Sequence, residues 1–390
     1  MSDFARMLVV LFLAAAWSTP AHATPAFARK QGLGCPVCHT AFPELNGTGR
    51  TFKENGYRFP APQGGVKTAG EDVGAGIILD KAPGIAIRIV SQLMDMGPGL
   101  NGEETGTETG NSDATKLEFA TTPLDSVELI MAGANGDHFS YLAELGAEQE
   151  DDYAIGGNGV AQYRFNEHAT LYAGWTPLFG RDIYNTLNEA RRVDHVDHAA
   201  QDYTGSTGID LSTEGGFVGL YGRVGPVFYM GETGPGPDMA ISSQEPFDYM
   251  GRVGIDVTKK VEVGGFVYYG ATNVTADDGT VSKVSTTRPA LDMNAYSPFG
   301  NWKVLGMYDS ADSAVTGEVG WDDPITLKHF WLLPMARVDA TVVGGTTSIV
   351  PSVGFGIEQS AGRLQLEFAE PIGNDGASLP SAQLLADIVF

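Results

Sequence analysis

The feature that most restricts what this chain can fold into is a two-residue alternation of apolar and polar side chains. It recurs from about Gly84 onward. In 363–368, Leu364, Leu366 and Phe368 share one face, while Arg363, Gln365 and Glu367 share the other. In 139–145, Phe139, Tyr141, Ala143 and Leu145 lie opposite Ser140, Leu142 and Glu144. Val261, Val263, Val267 and Tyr269 repeat the pattern, with Glu262 opposite. Two architectures satisfy it: a soluble antiparallel sandwich, and a transmembrane barrel with lipid outside and a polar lumen inside.

The connections separate the two. Tight links fall at 134–137, 166–168, 225–226, 259–260, 299–301 and 359–362. The links between them are longer and acidic, at 95–113, 147–152, 232–248 and 275–282. Short turns at one end and long loops at the other mark an outer-membrane barrel, whereas a sandwich has no reason for that asymmetry. The expectation is an all-β fold, an antiparallel transmembrane β-barrel of about sixteen strands over residues 84–390. Leu384, Ala386, Ile388 and Phe390 alternate to the last residue. A terminal aromatic on an amphipathic strand resembles the insertion signal of such barrels.

Ahead of the barrel the chain changes character. Residues 1–23 read as a secretory signal, with an apolar stretch at 7–17 too short to span a bilayer and a small-x-small site at Ala21-His22-Ala23. Residues 24–59 hold both cysteines of the chain, in Cys35-Pro36-Val37-Cys38-His39. That spacing is the one used to attach haem c through two thioethers, with the histidine as axial iron ligand. Export agrees with it, because haem c is attached outside the cytoplasm. A zinc site would need two further ligands close by, and a redox dithiol would need a βαβ setting; this segment has neither.

Charge divides the chain in the same place. The net charge is −24, yet residues 24–59 carry Arg29, Lys30, Arg50, Lys53 and Arg58 against only Glu44 and Glu54. The acidic excess therefore lies beyond Pro60, which makes nucleic acid a poor partner. Pro60-Ala61-Pro62-Gln63-Gly64-Gly65 opens a linker over 60–83. The segment before it is too short to enclose a haem by itself. It also has no methionine, and no histidine besides His39. A sixth iron ligand comes from beyond the linker or is absent. Met94, Met96, His138, His168 and His329 are the candidates, and five-coordinate iron is the alternative. The basic module is expected to plug the lumen, docking on carboxylates such as Glu128, Glu144 and Glu262.

The run Pro25, Phe27-Ala28-Arg29, Cys35-x-x-Cys38-His39, Pro43, Leu45, Gly49-Arg50, Phe52-Lys53 and Gly56-Tyr57 resembles a known family. It is similar to the N-terminal module of the fused monohaem cytochrome–porins, outer-membrane iron oxidases of bacteria that live on ferrous iron. The resemblance covers about a tenth of the chain; in that family a porin-like barrel follows. It implies a Gram-negative outer-membrane location and one haem c on Cys35, Cys38 and His39. Electrons would pass from extracellular Fe²⁺ to a periplasmic carrier such as a soluble cytochrome. A haem-plugged solute channel and an exporter of electrons to extracellular acceptors are the competing functions.

Within this reading the connection at 178–215 stands out by its length, and in porins one such loop can fold into the lumen. It carries Asp194, His195, Asp197 and His198, whose oxygen and nitrogen donors suit a transient Fe²⁺ docking site. The competing reading is a solvated loop. Asp95, Glu103, Glu104, Glu148, Glu150, Asp151, Asp152, Asp277 and Asp278 are expected to gather cations without a specific site.

Overall fold

The computed structural model describes Phe27, Leu33 and residues 37–41, 44–59, 70–72, 78–80, 84–98, 117–149, 153–184, 187, 198–237, 247–275, 281–327, 330–359, 362–373 and 380–389. Sixteen principal strands close into one antiparallel barrel. They are β1 (Gly84–Pro98), β2 (Leu117–Asn135), β3 (Phe139–Gln149), β4 (Tyr153–Asn166), β5 (Ala169–Pro177), β6 (Glu214–Val224), β7 (Val227–Pro237) and β8 (Asp248–Thr258). Then follow β9 (Val261–Thr275), β10 (Val281–Ser297), β11 (Gly300–Asp309), β12 (Ala314–Asp322), β13 (Trp331–Val343), β14 (Thr346–Gln359), β15 (Gly362–Ala369) and β16 (Ser381–Val389). Closure leaves no sheet edge, the condition for carrying a backbone through lipid.

Burial follows the alternation. In β8, Asp248, Met250, Arg252 and Gly254 are buried, while Tyr249, Val253, Ile255 and Val257 are exposed. Leu291, in the middle of the wall, is 73 % exposed, which sets it towards lipid. Two aromatic girdles frame this apolar surface. Phe139, Tyr163, Phe165, Phe299 and Trp302 ring the short-turn end, and Trp175, Phe247, Tyr249, Tyr269 and Tyr308 ring the other. Such belts sit at the two water–lipid boundaries of an outer-membrane barrel. The three alternating stretches read from the sequence present the expected faces: Ser140, Glu262, Gln365 and Glu367 are buried inward, with Phe139, Val263 and Phe368 outward.

The seam between β16 and β1 is pinned by charge. Arg88 donates to both carboxylate oxygens of Asp387, at 3.1 Å each, and reaches Glu128 on β2. The last strand departs from strict alternation, because its register with β1 shifts between Leu384 and Leu385. Phe390 lies outside the described residues. The loop asymmetry has two exceptions. Residues 323–330 at the short-turn end are drawn out and include the paired Ile325–Thr326. At the long-loop end β13 and β14 meet in a tight turn, where Gly344 and Gly345 both take positive φ, 57° and 85°, open to glycine. Among the described residues of the linker, Gly70–Asp72 pairs antiparallel with Ile78–Asp80.

Candidate functional site in the filled lumen

The described part of the cysteine module is organised by α1 (Gly47–Glu54). Asn46 caps its start, accepting from Thr48 N at 2.9 Å and Gly49 N at 3.1 Å. At its end Gly56, with φ 67°, lets Gly56 N donate to Lys53 O and Tyr57 N to Phe52 O. That double bond pattern is a Schellman stop, and the Phe52 and Tyr57 rings pack beside it at 6.0 Å. Asn46 also ties the helix to the motif: its N–H donates to Cys38 O at 2.9 Å and its side chain to Val37 O at 3.2 Å. Gly49 permits this approach, because a Cβ there would meet Cys38 O at 2.1 Å. His39 opens a short strand, His39–Ala41, paired with Glu44–Leu45. Phe27 stacks on Tyr57 at 4.9 Å, and Phe52 lies 4.9 Å from Phe59. Cys35 lies outside the described residues.

This module makes its contacts with the inner wall, at the short-turn end. Glu54 accepts from Arg223 of β6 at 2.7 and 2.8 Å, and Tyr221 donates to Glu54 O at 3.1 Å. Arg50 pairs with Asp256 of β8 at 3.3 Å and with Glu262 of β9. Glu44 pairs with Lys303 of β11, and Arg58 donates to Gly136 O and Phe139 O. Burial lowers the Lys53 pKa, against the pull of Asp182, and raises that of Glu54, against the pull of Arg223. Of the three carboxylates expected to receive the module, Glu262 does so. Glu128 instead serves Arg88, and Glu144 interacts with Asn158 of the neighbouring strand.

The long connection after β5 enters the lumen from the other end. Leu178, Phe179, Ile183, Tyr184, Leu187, Ile209 and Leu211 are buried against Tyr172, Phe217, Phe228, Met230, Met250, Phe266, Leu305 and Met307 of the wall. A lumen face this apolar exists because the loop covers it. Polar groups set the depth of the loop. Arg181 pairs with Glu232 at 3.2 Å, and Asp182 pairs with Arg252 at 3.0 Å. Lys53 of α1 donates to Asp182 O at 2.9 Å, so helix and loop meet inside the barrel.

The same loop delivers His198 to the opposite wall. Its Nδ1 lies 2.9 Å from Glu318 Oε2 on β12, and Arg337 of β13 approaches Nε2 at 2.7 Å. Arg337 Nε donates to Asp339 at 2.6 Å, and Ala199 N donates to Asp339 at 3.1 Å. His198, Glu318 and Asp339 are all buried, with one ligand atom of each within 4.8 Å of the others. Of the four docking residues read from the sequence, only His198 is described; Asp194, His195 and Asp197 lie outside the described residues. Glu318 and Asp339 were missed because their signal is long-range: they lie 120 and 141 positions beyond His198 in the chain. Asp95 is a buried residue of β1 bonded by Gln92, so it is no part of an exposed acidic loop. His138 and His168 sit exposed at the short-turn rim, their Nδ1 atoms bonded to Arg164 O and Arg223 O. His329 lies outside the described residues.

No family model and no curated protein matches the chain. Solved structures do resemble it. One is a loop-deletion form of OmpT, an outer membrane protein of Vibrio cholerae, at 9 % identity and TM-score 0.51, over 79 % of this chain and 99 % of that one. Another is the anion-selective porin from Comamonas acidovorans, at 8 % identity and TM-score 0.55, over 79 % of this chain and 100 % of that one. At such identities the likeness carries the fold alone. The barrel is of the outer-membrane porin type and, with its apolar belt and two aromatic girdles, fits the outer membrane of a Gram-negative bacterium.

Proposed function

We propose that the chain is an outer-membrane cytochrome–porin that oxidises extracellular Fe²⁺ at a single haem c and passes the electron to a periplasmic carrier, such as a soluble cytochrome. The observation that carries this reading is the lodging of α1, a few residues after Cys38-His39, against the lumen wall through Glu54–Arg223 and Arg50–Glu262. Short turns face the periplasm in outer-membrane barrels. A redox group on this module would therefore lie inside the wall, with the periplasm on its near side and the inserted loop on its far side.

The residues suit haem c. Cys35 and Cys38 would hold it by thioethers, and His39 would ligate its iron. Phe27, Phe52, Tyr57 and Phe59 give the apolar cover a porphyrin requires, and Gly49 lets α1 brace the Cys38 backbone. The bound group would supply one-electron exchange at its iron. The chain's own part is to fix that group in depth, through buried ion pairs, and to shield it from bulk water on the loop side.

Solute passage is the second reading, favoured by the porin fold. The contacts of α1 with the lumen wall at one end, and the packing of the loop after β5 against it from the other, count against it. Two measurements separate the possibilities. A planar-bilayer conductance close to that of an open porin would favour the channel. A haem potential too low to accept electrons from Fe²⁺ would refute iron oxidation and favour electron export.

A further inference from the structure

Glu318 and Asp339 stand directly opposite one another on β12 and β13 and face the lumen. Like charges in that position repel, and both carboxylates are buried, so the pair costs stability unless cations compensate. Arg337 supplies one positive charge, two residues along the same face. His198 lies between them, its Nδ1 2.9 Å from Glu318 Oε2 and its Nε2 2.7 Å from Arg337 Nη1. Asp202 accepts from His198 N at 2.5 Å.

We infer that His198, Glu318 and Asp339 form a binding site for a first-row divalent cation, entered from the long-loop end. Three features carry the inference. The donor set is one imidazole and two carboxylates, the mixture that Fe²⁺, Mn²⁺, Co²⁺ and Zn²⁺ accept. The 2.9 Å between His198 Nδ1 and Glu318 Oε2 matches two ligands at right angles on one ion, which for bonds of about 2.1 Å lie roughly 3.0 Å apart. Finally, a cavity of about 210 Å³ adjoins the cluster, lined by His198, Asp202, Tyr203, Asp339, Thr341 and Ser348. Six waters at about 30 Å³ each would fit that volume, so an ion can arrive with its hydration shell. Ser348 lies just beyond the Gly344–Gly345 turn, which directs the cavity towards the outer face.

Arg337 occupies the cation position in the absence of an ion, and a divalent ion replaces it. That exchange makes the site reversible, as a transfer point needs. Binding of the ion is independent of the haem. Its service as the entry point for Fe²⁺ rests on the function proposed above.

The test uses the full-length detergent-solubilised protein and Co²⁺ alone, read by its ligand-field absorption and by calorimetry. One equivalent is expected to bind. Glu318→Gln, nearly isosteric, should weaken binding at least tenfold, whereas Arg337→Gln should tighten it by removing the competing cation. Heat-modifiable migration on gels verifies that each barrel is folded. Absence of Co²⁺ binding, or binding unchanged by Glu318→Gln in a folded barrel, would overturn the site. Haem reduction is not read, so failure of iron oxidation leaves this result intact and the reverse also holds.

Discussion

The carboxylate of Glu54 accepts two hydrogen bonds from the Arg223 guanidinium, at 2.7 and 2.8 Å, across 169 positions of sequence. One residue belongs to α1, shortly after the cysteine motif, the other to the inner wall of β6. Both are largely shielded from water, and Arg223 also binds Asp256 at 2.6 Å. With Arg50–Glu262 and Glu44–Lys303, the pair holds the module against the wall.

Removing Glu54 leaves Arg223 with Asp256 alone and takes away two charge-assisted hydrogen bonds, at a cost of about 1.5–3 kcal/mol. Glu54→Ala is therefore expected to loosen the helix without opening the barrel. Single-channel conductance in planar bilayers should rise, and protease should cut within 60–83 faster than in the unaltered protein. Unchanged conductance and cleavage would mean that other contacts hold the module.

Gly49 gives a second check on the same segment. A Cβ there would fall 2.1 Å from Cys38 O and 2.9 Å from Leu45. Gly49→Val must push α1 away from the motif, at about 1–3 kcal/mol. The expected result is a lower haem content per barrel, measured by the pyridine haemochrome, with the barrel itself folded. Full haem content would show that the close approach is dispensable.

The lipid-facing assignment is tested at Leu291, which stands mid-wall on β10 and is the most exposed leucine of the described wall. Leu291→Arg should destabilise the barrel by about 2–4 kcal/mol in urea titrations on lipid vesicles. Leu291→Ile should stay within about 1.5 kcal/mol. A tolerated arginine would place this face away from lipid.

One loop contact should respond to acid. Asp312, in the turn between β11 and β12, accepts from Ser206 N at 2.8 Å and from Tyr203 Oη at 3.0 Å. Those hydrogen bonds, Ser206 first, hold its pKa below the ordinary value of 3.8. A depressed carboxyl stabilises the contact above 3.8, and that contribution is lost as pH falls through the lower, folded value. The Ser206 amide should show a high protection factor, relative to its intrinsic rate at the same pH, at pH 5 and a low one well below pH 3.8. Equal protection at both would mean that the loop is held elsewhere.

Much of the barrel was legible because its rules are local. Alternation over a few residues sufficed to orient Ser140, Glu262 and Gln365 inward, and the tight links at 225–226 and 259–260 set the strand count. The length of 178–215 rightly marked a loop that turns into the lumen. Other features depend on partners far apart in sequence. No local pattern announces that His198 will meet Glu318 and Asp339, or that Glu128 will be taken by Arg88. The helix at Gly47–Glu54 is an intermediate case: Asn46 and Gly56 are legible caps, but a two-turn helix has too weak a periodicity to stand out. The Gly344–Gly345 turn departs from the loop asymmetry because two glycines can close a hairpin at either end of the wall.

In the function proposed above, electrons enter this protein from Fe²⁺ and reach a haem on Cys35, Cys38 and His39. Anaerobic addition of Fe²⁺ to the oxidised full-length protein, followed by the visible haem spectrum, tests it directly. Conversion to the reduced spectrum is expected, and it should slow as ionic strength screens the acidic outer face. A spectrum that stays oxidised under excess Fe²⁺ would contradict iron oxidation and leave only the porin-type barrel standing.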